Sequence, residues 1–489
     1  MPRTKSFAIS TTAVFSLALG GCAMGGPIPD SNTPITQSEA KMGAEAHPQL
    51  LAEFGGAMSG SQAVYVEQVG KTIAVQSGLG NARESFTVSL LNSPVNNAFA
   101  IPGGYIYTTR QLVALMNNEA ELAGVLGHEV AHVALRHSQR RQQAAQTNQL
   151  LGAGAAILSG ILLGNNPLGQ QLGQAALQTS QMLTLKFSRT QELEADEMGI
   201  QYLGRAGYDG GAMATVLASL AAQNALDARL QGRDDARLPE WASTHPDPAS
   251  RVQTALSKSQ GMSGVTNRDT FLSRIDGITY GDDPQQGVIE GRQFIHPILR
   301  LSFTAPQGFY MINSARAVAI NGQSGQAQFT LAPYNGNLQT YVNSVFASLS
   351  QQQQIRPASI QTTTVNGLRA AYGTARVQQS NGALDVTVFA YEFANDRAYH
   401  FLSIRRAGSA DPFASMYGSV RRVTAQEAAA IVPRVIDVVT VGSRDTVASL
   451  ASRMAYSDQQ EARFRVLNGL GANDTVRAGQ KVKIVVRGS

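Results

Sequence analysis

The sequence predicts a multidomain protein whose first domain is mainly α-helical and contains a small β-sheet. An α/β module with a largely antiparallel sheet follows, and a small β-α-α-β module lies at the C-terminal end. A length of 489 residues with 43% hydrophobic content suggests about three cores. Helical patterns dominate up to about residue 260, and short extended runs dominate after it.

The first 21 residues are typical of an export leader. Two basic residues precede an apolar run from Phe7 to Leu19, which is too short to span a hydrocarbon core of ~30 Å. Cys22 follows Gly20-Gly21 and is the only cysteine of the chain, so no intrachain disulfide can form. Residues 1–21 are therefore expected to be a lipoprotein signal peptide and residues 22–37 a flexible tether. The alternative is an ordinary signal peptide with an incidental cysteine.

Two histidines of the segment Gly127-His128-Glu129-Val130-Ala131-His132 are spaced to bind one metal ion. Residues four apart on a helix project in nearly the same direction, since four steps of ~100° overshoot one turn by only ~40°. Two imidazole nitrogens can thus reach one Zn²⁺ at ~2.0–2.1 Å. Glu129 lies one step round the helix, where it can take a proton from the water that attacks a carbonyl. The motif predicts hydrolysis of amides.

A catalytic zinc ion needs a third protein ligand and an open fourth position. A third histidine ten residues after the first is missing, because that place is Ser138. His137 is expected to point away from the pair, as a surface group or a neighbour of the ligands. The carboxylates of a second helix remain, at Glu192, Glu194 and Asp196. Spacing alone leaves both Glu192 and Glu194 open as the ligand.

Two segments of the chain resemble the gluzincin zinc metallopeptidase family, which contains the CAAX prenyl protease and the HtpX- and BepA-like proteases. The first is His-Glu-Val-Ala-His, and the second, some sixty residues later, is Ser-Arg-Thr-Gln-Glu-Leu-Glu-Ala-Asp. Segments 97–104 and 118–123 also resemble family signatures, and the resemblance covers roughly residues 38–258. It implies a zinc metallopeptidase domain with one Zn²⁺ per subunit, held by His128, His132 and Glu192. Asp196 would then orient a metal-binding side chain without itself binding the metal, and Glu129 would act as general base and then acid.

Two further features lie in the same predicted domain. The resemblance implies that His245 of the segment Thr244-His245-Pro246-Asp247-Pro248 lies near the zinc, where it and Arg251 would regulate the site or stabilise an oxyanion. Asn97, Ala98, Phe99 and Ala100 begin an extended segment, and an exposed strand edge there could bind an unfolded peptide by β-augmentation. The alternative for this segment is a plain structural hairpin. The apolar run Leu151–Leu163 is too short to span a bilayer as a helix, and is expected to form a buried hairpin or a flap over the site.

The remaining chain carries no cluster that predicts catalysis. Residues 259–295 are expected to be a linker, and residues 296–430 an α/β module with a binding or scaffold role. Residues 434–487 resemble a LysM-like domain in Asp445-Thr446-Val447, Leu467-Asn468-Gly469-Leu470 and Arg477-Ala478-Gly479-Gln480. Arg444 stands where such modules usually have glycine, so the resemblance implies the fold more strongly than affinity for peptidoglycan.

These observations predict an outer-membrane lipoprotein of a Gram-negative bacterium that faces the periplasm and is anchored to lipid through Cys22. The expected substrates are unfolded or misassembled envelope proteins, which follows from the resemblance. Two alternatives remain: a chaperone or cell-wall tether with minor proteolysis, and a hydrolase of peptidoglycan cross-links. The formal charge of +5 includes two basic residues of the leader, and this modest excess does not indicate a nucleic-acid partner.

Overall fold

The structure is a computed structural model, and it describes residues 33–141, 143, 187–231, 245, 248–349, 355–379 and 382–488. The leader 1–21, Cys22 and the apolar run Leu151–Leu163 lie outside these ranges. The assignments made for them therefore stay predictions. Within the described ranges, none of the helices combines the length and the apolar character needed to cross a bilayer.

The N-terminal part is helical with one small sheet, as the sequence predicted. The elements are α1 (Gln37–Glu53), α2 (Ser61–Val75), α3 (Ala82–Ser85), β1 (Thr87–Leu91), β2 (Ala98–Ile101), β3 (Tyr105–Thr109) and α4 (Arg110–Leu115). Strand β3 lies in the middle, parallel to β1 and antiparallel to β2. Among the strands of the described residues, β2 is consequently an edge of this sheet.

Helix α5 (Glu119–Ala134) carries the histidine motif through the middle of the core. Its first turn is capped by Asn118, whose side chain accepts a hydrogen bond from the Glu121 amide. All of its residues except Val133 are buried, because α2, α6 (Arg189–Arg205) and α7 (Ala212–Leu230) pack against it. Helix α8 (Pro248–Lys258) packs in turn on α6 and α7.

Two glycines let α5 and α6 approach closely. A Cβ atom at Gly199 would lie 3.1 Å from the backbone nitrogen of His128, and one at Gly127 would lie 3.4 Å from the Cα of Gly199. Helix α6 begins with a capping box in which Ser188 and Gln191 satisfy each other's backbone amides. The acidic residues of its first two turns are thereby placed beside the histidines of α5.

Residues 259–295 pack against the core rather than running as a free tether. Helix α9 (Arg268–Ile275) buries Phe271, Leu272 and Ile275 in the same apolar cluster as α5. Strands β4 (Thr279–Tyr280), β5 (Val288–Glu290) and β6 (Gln293–His296) follow, with a short 3₁₀ turn at Pro284–Gln286.

The elements of the α/β module are β7 (Leu301–Thr304), β8 (Tyr310–Asn313), β9 (Val318–Gly322), β10 (Gly325–Leu331), α10 (Leu338–Ser348), β11 (Ile360–Val365), β12 (Leu368–Gln379), β13 (Gly382–Ala394), β14 (Arg397–Arg406), α11 (Ala414–Ser419), β15 (Arg421–Arg422) and α12 (Ala425–Ala429). Seven of the strands form an antiparallel sheet in the order β11-β12-β13-β14-β10-β9-β8. Helix α10 packs on one face of this sheet, and β7 with β5, β6 and β15 forms a separate four-stranded sheet. The sequence pattern had not indicated β8, β9 or β11.

The last segment has the expected strand-helix-helix-strand order. Its elements are β16 (Arg434–Thr440), α13 (Val447–Ala451), α14 (Gln460–Leu467) and β17 (Lys481–Arg487), and β16 pairs with both β17 and β4. The apolar side chains of these elements belong to the cluster that contains α5. The C-terminal module therefore shares one core with the N-terminal domain.

A buried lysine fastens this module to the domain. Lys483 on β17 has no exposed surface, and its Nζ donates to the carbonyl oxygens of Ala114, Leu115 and Met116 at 2.8, 3.1 and 2.5 Å. These carbonyls end helix α4, where a cation satisfies unpaired acceptors. Burial holds the pKa of Lys483 well below its ordinary value, against the opposing charge of Glu121.

Replacing Lys483 by methionine should destabilise the protein by about 2 kcal/mol, because three buried carbonyls lose their donor while the side-chain length is kept. Urea unfolding measures the change. Lys481→Met, two residues earlier on the same strand, removes a partly exposed ammonium 3.4 Å from Ser273 Oγ and should change stability by less than about 0.5 kcal/mol. Equal midpoints for the two variants would refute a fastening role for Lys483.

Candidate metal centre

Four buried side chains from three parts of the chain converge on one point. Helix α5 supplies His128 and His132, helix α6 supplies Glu192, and His245 completes the group. Each of the four is at most 3% exposed. The structure thus brings together the three zinc ligands expected from the sequence and the histidine expected near them.

The separations of the ligand atoms suit a tetrahedral ion. The Nε2 atoms of His128 and His132 are 3.0 Å apart, and His245 Nδ1 lies 3.2 Å from His128 Nε2. Glu192 oxygens lie 3.1 Å from His245 Nδ1, 3.5 Å from His128 Nε2 and 3.6 Å from His132 Nε2. Four ligands at ~2.0–2.1 Å from one Zn²⁺ are separated from each other by ~3.3–3.4 Å. The donor set of three imidazoles and one carboxylate therefore fits zinc in size and chemistry.

Asp196 holds His128 from behind. Its Oδ1 lies 2.9 Å from His128 Nδ1, the nitrogen that faces away from the ligand group. Arg251 on α8 donates to both oxygens of Asp196, at 2.7 and 2.5 Å, and its Nη1 lies 2.9 Å from Glu192 Oε2. Arg251 thus contacts two acidic residues of α6 rather than an oxyanion position.

Two buried acidic residues of α6, Glu192 and Asp196, have a lowered pKa despite their burial. Burial by itself raises the pKa of Asp196, but the hydrogen bonds and charge of Arg251 together with His128 hold it well below the ordinary value. Burial likewise raises the pKa of Glu192, yet the charges of His245, His128 and Arg251 bring the net pKa below the ordinary value. Two buried carboxylates in contact with the histidines create a negative potential that a bound cation would balance.

Glu129 is placed and tuned for proton transfer. It is 1% exposed, and its Oε1 lies 3.5 Å from His245 Nε2. Within the described residues its Oε2 has no hydrogen-bond partner. Burial raises the pKa of Glu129, and the positive charges of His245 and His128 oppose this increase without cancelling it. A carboxylate with a raised pKa and a free oxygen beside the ligand group can accept and return a proton.

His137 does not point away from the pair, and the expectation from a continuous helix was wrong. Its ring is fully buried, and its Nδ1 lies 2.8 Å from His132 Nδ1. Helix α5 ends at Ala134, and Arg136 then adopts a left-handed conformation with φ of 51°. That turn brings the next residue back against His132. Burial lowers the pKa of His137 to about 4.

Glu194 lies on the far side of His137. Its Oε2 is 3.0 Å from His137 Nε2, and Arg140 Nη1 donates to the same oxygen at 2.7 Å. The side chain is 36% exposed, whereas Glu192 is 1% exposed. Of the two carboxylates that spacing left open, Glu192 faces the ligand group and Glu194 contacts it only through His137.

Two further side chains lie beside His132. His137 is one of them, and it takes the second of its two expected places, that of a neighbour of the ligands. The other is Phe187, which the sequence did not indicate and whose ring stacks on His132 with centroids 3.9 Å apart. Phe187 immediately precedes the capping box of α6, but no sequence spacing linked it to the histidine motif.

Strand β2 presents its free edge to the metal centre. The main-chain carbonyl of Asn97 accepts a hydrogen bond from the amide of Thr109, the last residue of β3. The alternation of a strand therefore directs the main-chain groups of Ala98 and Ala100 to the other side. On that side the Ala98 carbonyl lies 3.3 Å from His245 Nε2. His245 thus lies in the ligand group with its Nδ1 and contacts a main-chain carbonyl of strand β2 with its Nε2.

A model of peptidase family M48 matches residues 61–259. This part of the chain is therefore similar to family M48 peptidases. The matched residues include α5, α6, His245 and α8, and with them the ligand group, Glu129, His137 and Arg251.

Curated relatives match about two fifths of this chain. A protein of Escherichia coli named "Beta-barrel assembly-enhancing protease" is 35% identical over 217 residues, which cover 43% of this chain and 42% of that protein. The "Mitochondrial metalloendopeptidase OMA1" of Schizosaccharomyces pombe is 29% identical over 222 residues, covering 44% of this chain and 59% of that protein. The matched part is thus about half the length of either relative.

Glu192→Ala should abolish stoichiometric zinc binding, whereas Glu194→Ala should retain it at saturating zinc. The first change removes a ligand from the buried group, and the second removes a partly exposed contact of His137. Metal analysis of the two purified variants measures the difference. Equal zinc contents, or loss in the second variant alone, would reverse the assignment.

Proposed function

We propose that the chain is a zinc-dependent endopeptidase of the bacterial envelope. The juxtaposition of Glu129 with the four buried ligand residues supports this proposal most directly. When bound, zinc would supply Lewis acidity toward the substrate carbonyl and would lower the pKa of a bound water to about 7. His128, His132 and Glu192 would hold one ion per subunit, and substrate would enter at the fourth position.

Glu129 would move the proton that hydrolysis requires. Its free Oε2 accepts a proton from the attacking water, and the same oxygen then delivers this proton to the nitrogen of the leaving amine. Because the carboxyl group is buried, its raised pKa favours this return. Arg251 and Asp196 meanwhile keep His128 and Glu192 in place.

The edge of β2 would bind the substrate main chain in extended form. A peptide paired with Ala98 and Ala100 would lie beside the ligand group, since the Ala98 carbonyl is already in contact with His245. Recognition through main-chain hydrogen bonds accepts many sequences but demands an unfolded segment. Misfolded or stalled envelope proteins meet that demand, and the name of the Escherichia coli relative supports this substrate class.

We further propose that the protein is anchored through lipidated Cys22 in the outer membrane and faces the periplasm. The leader supports export, and the length of the apolar run in it argues against a spanning helix. The C-terminal module would direct the protein toward peptidoglycan if its LysM-like loops bind glycan.

Replacing Glu129 by glutamine should retain zinc and fold but lower kcat for an unfolded protein substrate by roughly 10²–10⁴-fold. Glutamine keeps the volume and loses the proton acceptor. The assay compares wild type and variant on unfolded protein and on muropeptides at equal zinc content. Wild-type cleavage of muropeptides alone would favour the cell-wall hydrolase, and unchanged peptidase activity in the zinc-loaded variant would refute the mechanism.

His245→Ala should raise the basal cleavage of an unfolded protein while leaving zinc bound. His245 Nδ1 would occupy the fourth ligand position, and its Nε2 lies against the Ala98 carbonyl, a main-chain acceptor of β2. Substrate would therefore have to displace His245. Initial rates at matched zinc occupancy measure the effect. His296→Ala, which removes a histidine from strand β6, is the matched control.

A lower rate in the His245→Ala variant, by about 10²-fold, would instead assign His245 to the stabilisation of an oxyanion. An unchanged rate would leave it with a structural role alone.

A further inference from the structure

The two histidines of the motif are supported in different ways. His128 contacts a carboxylate directly, with Asp196 Oδ1 2.9 Å from its Nδ1. On the Nδ1 side, the contacts that the structure gives His132 reach a carboxylate only through another imidazole, because His137 lies between His132 and Glu194. The contacts run from His132 Nδ1 to His137 Nδ1 at 2.8 Å, and from His137 Nε2 to Glu194 Oε2 at 3.0 Å.

Only one arrangement of protons satisfies this chain of contacts when His132 binds a metal. The Nε2 of His132 faces the ligand group, 3.0 Å from His128 Nε2, so its lone pair is needed there and its proton resides on Nδ1. The Nδ1 of His137 must then be the acceptor. The proton of His137 consequently resides on Nε2, from which it is donated to Glu194. Each nitrogen has one role, and the carboxylate ends the chain.

The surroundings hold His137 in position from several directions. Gln191 on α6 donates to its carbonyl oxygen at 3.0 Å. Arg136, in the left-handed turn before it, donates to Glu39 on α1 at 3.2 Å and to the Thr33 carbonyl at 2.8 Å. Arg140 holds Glu194. The backbone turn that carries His137 is therefore held by both α1 and α6.

We propose that His137 is a positioning residue that, with Glu194, fixes the tautomer and ring orientation of the ligand His132. The proposal rests on the zinc site proposed above. Partners of this kind keep a ligand imidazole oriented and increase its basicity, and their loss typically weakens metal binding by ~10–100-fold. His132 depends on this support because its Nδ1 has no carboxylate among the contacts that the structure gives it.

The test is zinc affinity, measured by competition with a chromogenic chelator on the purified protein with its leader removed. His137→Phe should raise the Kd for zinc by ~10–100-fold, because His132 Nδ1 loses its acceptor. His137→Asn should recover most of that loss, since its amide oxygen can accept near the position of Nδ1. If His137 merely filled space, the two replacements would not differ in their Kd for zinc in this way.

A second pair of variants covers the case in which His137→Phe fails to fold. Glu194→Ala removes the partly exposed end of the chain and should raise the Kd for zinc by several-fold. Glu197→Ala is the matched control, because it removes a carboxylate of the same helix that pairs with Lys258 at the surface. At saturating zinc, Glu194→Ala should lower kcat and leave KM unchanged, since the change affects ligand geometry and not peptide binding.

The outcomes separate this inference from the function on which it rests. A wild-type protein that binds no zinc would overturn both. If the wild type binds zinc and the Kd of the His137→Phe variant lies within about two-fold of the wild-type Kd, the role of His137 alone would be overturned. If that variant does not fold, equal zinc affinities of Glu194→Ala and Glu197→Ala would overturn it.

Discussion

The compensation of buried charge is the constraint on which the catalytic half of the structure depends. Glu129, Glu192 and Asp196 are each at most 3% exposed, and an uncompensated buried carboxylate costs several kcal/mol. Arg251 reaches two of them from α8. The guanidinium therefore ties α8 to α6, and Asp196 in turn ties α6 to the first histidine of α5.

The second histidine is positioned by a different part of the chain. Helix α5 ends just after it, and the left-handed residue Arg136 reverses the backbone so that His137 packs against His132. Because Arg136 is held by Glu39 and by the chain before α1, the first helix of the domain supports the geometry of the metal centre. The two ligands of one helix thus depend on opposite ends of the domain.

The C-terminal module contributes to the same core. Its buried lysine satisfies the end of α4, and Arg268 on α9 donates to the carbonyls of both Asn117 and Lys481. Asn117 immediately precedes the cap of α5. Segments that are hundreds of residues apart in sequence therefore stabilise the start of the helix that carries the histidines, and the module is a structural partner of the N-terminal domain.

Local patterns determined the parts of this protein whose geometry is set by near neighbours in sequence. The four-residue spacing of His128 and His132 sets their common direction, and the caps at Asn118 and Ser188 start the two helices that meet at the site. The extended runs over residues 368–377, 384–394 and 398–405 likewise indicated β12, β13 and β14. Strands β8 and β9 were not indicated because they are only four and five residues long, and β11 was not indicated because polar residues fill most of it.

Tertiary structure decided the rest, because it depends on contacts between distant residues. Spacing on α6 could not choose between Glu192 and Glu194, since only the approach of α5 at Gly199 determines which carboxylate faces the histidines. His137 was misjudged because a helical period holds only while the helix continues. The sequence alone determined that one helix presents two histidines on the same face, whereas the packing of α1, α6 and α8 around that helix decided which side chains join them.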